Sequence, residues 1–529
     1  MPPTVDPQAL EIPFRTLGAA FADFAARHPD KLAVHSIDQN ISLNFAALEK
    51  LVDRTAARMA GAGVGRGDRV AILCGECIEK LVLMFAAWRC GASACPFHAE
   101  IAPGHLRSIL QTIDPAMVVW RRGDLEGDGL RDALIGQVFS FTALGEPEGF
   151  FATLDNNNPG RLPTPGTEYG PEDEGCIFAT SGTTDRPKCV VWDHLGLWLC
   201  GLSTIDFTGM TSADRLLEYR TFSWLSPQII TFMPFISLGL TIVMAGGFSR
   251  SRFIGWVHDH RITVAAGVPT VINMLLDKPV AFEPADISSL RLMTASSAPL
   301  APDRWRQFEK HYGIRLLQFY GASEGGWLCG NRHDKFRIGT AGPPARHMDL
   351  ALVDAEGAVC AIGEEGEITI RGPQTATASI TADGVWEDRT GFRLTDRTRV
   401  GDLGVMDADG FVTVTGRTKD VILRGGVSIA PLEIDAAVMT HPAVHEAAVI
   451  GIPDPIWGEE IVCYVVPADG ADASKDDILA HAAKMLPAFK RPRFIEFVAA
   501  LPKNERGKVR REDLKAIWAA SAAGSASRS

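Results

Sequence analysis

The run Thr180-Ser181-Gly182-Thr183-Thr184-Asp185-Arg186-Pro187-Lys188 gathers hydroxyls and a glycine ahead of a lysine. It directly follows the strand-like segment Gly175-Cys176-Ile177-Phe178-Ala179. Hydroxyls and backbone N–H groups in such a turn can wrap a polyphosphate, and the lysine adds charge neutralisation. The GxxxxGK[ST] spacing of a Walker loop is absent. A polar surface loop is the plainer alternative, and the density of donors favours phosphate over it. Cys74 and Cys77 form a single CxxC with no second pair and no adjacent histidine, which argues against a metal or redox role there.

The elements around that loop follow an alternating rhythm. Leu17 to Arg27 and Phe45 to Ala60 carry helical apolar faces, and Leu32-Ala33-Val34 lies between them as a short strand. Arg69 to Leu73 reads as a strand, and Ile78 to Cys90 as a helix closed by Gly91. The rhythm returns near Thr263 to Gly267 and near Leu290 to Thr294. Such alternation predicts an α/β fold with largely parallel strands. After Gly339 the segments shorten and turns multiply, as in Asp354-Ala355-Glu356-Gly357, which predicts a small β-rich subdomain. From Arg417 onward strand and helix patterns alternate again. The expected architecture is a large N-terminal domain of stacked α/β subdomains plus a small β subdomain, over 1–416. A compact α+β C-terminal domain follows over 417–518, and then a disordered Ala/Ser/Gly-rich tail over 519–529.

Composition bounds the function classes. Of 529 residues, 46% are hydrophobic and 22% charged, which is globular composition rather than disorder. Acidic residues outnumber basic ones 64 to 52, for a net charge of -12. A dedicated nucleic-acid binder would tilt the other way. Ten scattered cysteines, mostly in apolar stretches, suit reduced thiols in the cytoplasm. No apolar leader follows Met1. Thr221 to Ser249 lacks charge, yet Pro227, Gln228, Pro234 and Gly239 interrupt it. It reads as a buried helix, a glycine turn and the strand Leu240 to Met244, not as a membrane span.

Six motifs in order along about 330 residues resemble the adenylate-forming enzymes, which include acyl-CoA synthetases, peptide-synthetase adenylation domains and luciferases. The phosphate loop is similar to TSGTTGxPKG, with Asp185 and Cys189 in place of two glycines. Ser296-Ser297-Ala298-Pro299-Leu300 resembles GGAPL, and Tyr320-Gly321-Ala322-Ser323-Glu324 resembles YGxTE. Gly401-Asp402-Leu403-Gly404 resembles the TGD segment. Gly416-Arg417-Thr418-Lys419-Asp420 with Arg424-Gly425-Gly426 resembles GRxKDxIxxxG, and Pro502 to Lys508 resembles PKxxxGK.

The resemblance implies an ATP-dependent acyl-CoA synthetase. A carboxylic acid attacks the α-phosphorus of ATP, pyrophosphate leaves, and the acyl group passes to CoA. Two anions meet in the first step, so positive charge belongs at the reacting centre. Lys508 is implied to bridge acid and α-phosphate. Glu324 is implied to hold Mg²⁺, a hard cation suited to carboxylate oxygen. Ser323 would offer a hydroxyl near the α-phosphate. Tyr320 with Gly321 would stack on adenine, the backbone of Ser297, Ala298 and Pro299 lining the other side. Asp402 and Arg417 would take the ribose. Lys419 matches the hinge about which the C-terminal domain turns between half-reactions. The loop at Arg424-Gly425-Gly426 would then meet the pantetheine arm.

The acyl side is expected at Trp224 to Ile230, with Gln228 facing the acid or satisfying backbone. Trp224, Phe232, Phe235 and Trp327 suggest an aromatic, alicyclic or medium-chain acid. A stand-alone enzyme loading a carrier-protein phosphopantetheine is the alternative, and a homodimer is compatible with either. A non-catalytic adenylate binder, prompted by Asp185 and Cys189, is disfavoured by the presence of Lys508, Glu324, Asp402 and Arg417.

Overall fold

The computed structural model describes residues 16–98, 101, 103–124, 131–145, 148–151, 170–180, 188–381, 384–388, 396–425, 427–471, 474–504 and 507–526. The predicted helices form where their apolar faces have a partner. Helix Leu17–Arg27 is capped by Thr16, and helix Phe45–Gly61 by Asn44, each accepting from a first-turn backbone N–H. Phe21, Phe45, Phe85 and Phe235 from four different segments pack as one aromatic cluster. Strand Arg69–Leu73 and helix Ile78–Arg89 lie within a residue of their expected bounds, with Gly91 in the left-handed region.

Two eight-stranded sheets dominate the described residues. In the first, strands Arg315–Ala322, Leu292–Ala295, Val264–Ala265, Arg215–Glu218, Thr241–Met244 and Leu32–Ser36 run parallel in that spatial order. Strands Gly326–Gly330 and Ile41–Asn44 close its two edges antiparallel. The second sheet centres on the parallel strands Ser93–Phe97, Arg69–Leu73 and Met117–Arg121, and Glu174–Thr180 and Lys188–Asp193 join it as an antiparallel pair. Strands buried on both faces explain the near-continuous apolar runs.

A four-stranded antiparallel sheet, Asp349–Val353, Glu365–Arg371, Thr398–Met406 and Val412–Arg417, is the β-rich subdomain. Not every strand after Gly339 belongs to it. Ala378–Thr381 and Gly384–Asp388 extend the second large sheet instead, because Ala378 to Ile380 pair with Cys189 to Val191. A separate sheet carries the C-terminal part, built on the long hairpin Val444–Asp454 and Gly458–Pro467. Helix Arg511–Ala526 extends into the expected tail, as an alanine-rich sequence favours, and 527–529 lie outside the described residues.

No helix among the described residues is long and apolar enough to cross a membrane. The uncharged stretch breaks into a short turn of helix at Leu225–Pro227, a π-helix over Gln228–Phe232, helix Met233–Leu238, a left-handed Gly239 and strand Thr241–Met244. The π segment is the one departure from the expected helix, and such bulges cluster at functional sites.

Candidate active site

The parallel strands of the first sheet share one carboxyl edge, where open α/β sheets place their ligands. Ala295 pairs with Gln318, so Ser297 and Tyr320 follow two residues later on neighbouring strands. Next along the edge come Gly267 to Thr270, after Val264–Ala265, and then Tyr219-Arg220, after Glu218. Residues from distant parts of the chain are thus set side by side by register alone.

Tyr320 and Glu324 ride on one hairpin. Its close approach requires Gly321, since a methyl there would lie 2.3 Å from the Gly326 carbonyl. Tyr320 OH donates to Asp402 Oδ2 at 2.5 Å, and Arg417 Nε lies 3.1 Å from Asp402 Oδ1. Asp402 and Arg417 face each other across the antiparallel pair Thr398–Met406 and Val412–Arg417. Burial, and then the Asp402 carboxylate, push the Tyr320 phenol well above its ordinary range, so it remains a neutral donor. At the turn, Lys188 Nζ donates to Glu324 Oε1 at 2.9 Å. Trp192 Nε1 donates to the Ser323 carbonyl and Ala376 N to that of Glu324, which fixes the turn.

Ser297 takes φ 73, one of four described non-glycine residues in the left-handed region. The sequence put a serine where the resembled motif has glycine, and the backbone kept the glycine conformation. Cys189, a further departure within the described residues, is fully buried in strand Lys188–Asp193. Burial pushes its thiol up to about 12. Thr180 ends strand Glu174–Thr180 opposite Lys188. Ser181, Gly182, Thr183 and Thr184, with Asp185, lie outside the described residues, as does Gly426.

Lys508 sits in a tight turn. Its backbone N donates to Asn504 Oδ1, Asn504 N donates to the Lys508 carbonyl, and Lys503 bridges Val509. A methyl on the adjoining Gly507 would lie 2.9 Å from Thr270 Oγ1. The turn therefore abuts the carboxyl edge of the first sheet. His445 Nδ1, 3.9 Å from Asp277 Oδ2, adds a second contact between the same parts of the chain. Lys419 is exposed in the 3-10 turn Thr418–Asp420, immediately after Arg417. Gly425 is left-handed, and its N donates to the Trp457 carbonyl.

On the expected acyl side, Trp224 is half-buried and caps the helix turn Leu225–Pro227. Gln228 is fully buried, and its Nε2 donates to the Phe222 carbonyl at 2.5 Å. The rings of Phe222 and Phe232 stack at 4.0 Å. Two buried cations beside this segment escaped the sequence reading. Lys80 Nζ contacts Glu76 Oε1 at 2.5 Å and Ser223 Oγ at 3.0 Å. Arg220 forks onto Glu218 with Nε to Oε1 at 2.8 Å and Nη2 to Oε2 at 2.7 Å. For Arg220 the available signal was charge placed just ahead of the uncharged stretch. Among the described residues no group of three or more His, Cys, Asp or Glu could hold a metal by itself.

The comparisons with known proteins agree with this geometry. The model for the AMP-binding enzyme matches residues 21–378, and that for the AMP-binding enzyme C-terminal domain matches 433–508. The chain belongs to the AMP-binding enzyme family. A sulfoacetate–CoA ligase of Cupriavidus necator is 32% identical over 505 residues, covering 94% of this chain and 97% of that protein. An indoleacetate–CoA ligase of Aromatoleum aromaticum is 29% identical, covering 94% and 96%. The crystal structure of ATP-bound MatB from Rhodopseudomonas palustris superposes with a TM-score of 0.85 at 26% identity, covering 95% of this chain and 99% of that one. The chain is an AMP-forming acid–thiol ligase, which makes an acyl-adenylate from ATP and then passes the acyl group to CoA.

Proposed function

We propose that this ligase activates an aromatic, alicyclic or medium-chain acid whose body carries no second charge. The observation that carries the reading is charge pairing beside the acyl segment. Arg220 and Lys80 are buried, and each is matched by its own carboxylate, Glu218 and Glu76. Neither cation is left to offset a second anionic group, and the stacked Phe222 and Phe232 present an apolar wall. Relatives acting on indoleacetate and on ferulate support aromatic acids.

In this reading Tyr320 stacks on adenine, with Gly321 allowing the close turn, and Asp402 with Arg417 takes the ribose. The segment Ser297-Ala298-Pro299 lines the nucleotide. Lys188 and the loop from Thr180 to Thr184 receive phosphates, and Ser323 supports the α-phosphate. Lys508 draws the acid's carboxylate and the α-phosphate together, where two negative charges would otherwise repel. Glu324 suits Mg²⁺, because that ion takes one or two carboxylates and shares phosphate oxygens and water. When bound, the ion would offset triphosphate charge. Lys419 is the hinge, and Gly425 with Gly426 meets the thiol. Trp224 and Gln228 border the acid. Ten free thiols, nine of them buried, suit a reducing cytoplasm.

The test is a panel of carboxylic acids scored for pyrophosphate and AMP, with free CoA, with a phosphopantetheinylated carrier protein, and with neither. An apolar aromatic acid should give the highest kcat/KM, with CoA as acceptor. Preference for sulfoacetate or another doubly charged acid would overturn the acid class. Thioester formed only on the carrier would favour the carrier-loading alternative.

A further inference from the structure

We propose that Arg220 is a positioning residue for the nucleotide, acting through Ser296. Glu218 ends strand Arg215–Glu218, and Arg220 lies two residues beyond it, past the carboxyl edge. The strand order places Val264–Ala265 between this strand and Leu292–Ala295. The Arg220 side chain therefore crosses the end of one strand to reach the next, where Nη1 comes within 3.5 Å of Ser296 Oγ. Ser296 is fully buried and directly precedes the left-handed Ser297.

Glu218 makes this strut stiff. Its Oε1 accepts from the backbone N of Tyr219 and Arg220 and from Arg220 Nε, and its Oε2 accepts from Arg220 Nη2 and Thr231 Oγ1. Five donors on one buried carboxylate fix the guanidinium plane, which leaves Nη1 aimed at Ser296. The pair is also oriented. Its anion belongs to the strand and its cation to the loop beyond, so the positive end lies past the carboxyl edge of the sheet. A serine held at φ 73 persists only where its surroundings over-determine it. Arg220 supplies that constraint from below.

The inference rests on the reading that Ser297 borders the nucleotide, and the experiment separates the two. AMP affinity is measured by calorimetry for Arg220→Met, Ser296→Ala, the double variant, Arg220→Lys and Ser297→Val, with Tm for each. Arg220→Met and Ser296→Ala should each weaken AMP about tenfold, the scale of one hydrogen bond to a charged group. The double variant should lose no more than the worse single variant. Arg220→Lys should recover part of the loss. Should Arg220→Met fail to fold, Ser296→Ala, which removes one hydroxyl, decides the matter. Unchanged AMP affinity in Ser296→Ala, or additive losses in the double variant, would overturn the role. A fall in Tm alone would mark Arg220 as structural and likewise overturn it. If Ser297→Val also leaves AMP binding intact, the segment does not line the nucleotide, and the site assignment fails with it.

Discussion

At the scale of single residues, the proposed chemistry divides between groups that are held and one that would be delivered. Short polar contacts tie Tyr320 and Arg417 to Asp402, and Lys188 to Glu324. Lys508 comes from a separate part of the chain, on a turn anchored by Asn504. Lys508→Ala should therefore cut acyl-adenylate formation by about 10²–10³. Thioester formation from a preformed acyl-adenylate should change far less, and the two half-reactions are assayed separately to check it. A second consequence concerns Asp402. Asp402→Asn would keep an acceptor for the Tyr320 hydroxyl but lose the charge facing Arg417. The KM for ATP should rise about tenfold, consistent with one charge-assisted hydrogen bond, while the KM for the acid holds. These residues were legible in the sequence because each stands in a short motif with its own chemistry. Arg220, Glu218, Lys80 and Glu76 were not. Arg220 and Glu218 were marked only by charge at the head of the uncharged stretch, and the contacts that bring Lys80 and Glu76 to Thr221 and Ser223 span 141 to 145 residues.

At the scale of elements, position is set by register and by caps. Most strands and helices of the first 120 residues could be read from apolar period and turn residues, since each has one clear face. The strands after Gly339 were harder. Ala378–Thr381 looks like its neighbours, and only pairing with Lys188–Asp193 assigns it to another sheet. The Lys419 turn joins the strand bearing Arg417 to the C-terminal sheet. Lys419→Pro would fix φ and hinder rotation about that residue. Adenylation should survive better than thioester transfer, and near-normal overall turnover would remove Lys419 as the hinge. The turn carrying Lys508 leads into helix Arg511–Ala526, whose first residue donates to the Val449 carbonyl and pairs with Asp435. Burial raises the Asp435 carboxyl to about 6, against the pull of Arg511. Folded Asp435 thus binds a proton more readily than unfolded Asp435. Its contribution to stability is full below its ordinary 3.8 and is lost as pH rises through about 6. Asp435→Asn should flatten that part of the Tm–pH curve between about 4 and 6.

At the scale of the whole molecule, three sheets and a C-terminal unit converge on one edge. Among the described residues, contacts between the C-terminal unit and the rest include Gly507 against Thr270, and His445 near Asp277, which also pairs with Arg304. A half-exposed polar contact contributes about 0–1 kcal/mol. His445→Ala should then shift the balance of poses by at most about fivefold, seen as slower adenylation with thioester transfer unchanged. None of this was legible in sequence, because the contact joins residues whose neighbours carry no shared pattern.

The left-handed Ser297 has a consequence for anyone breeding this protein in the laboratory. A non-glycine residue in that region costs roughly 1–2 kcal/mol, and glycine would relieve it. A screen that rewards heat resistance alone should therefore find Ser297→Gly early. The same exchange frees the backbone that the serine and its neighbours hold in one shape. Selected lines would gain melting temperature while their nucleotide grip drifts, so the two traits should be screened together from the first round.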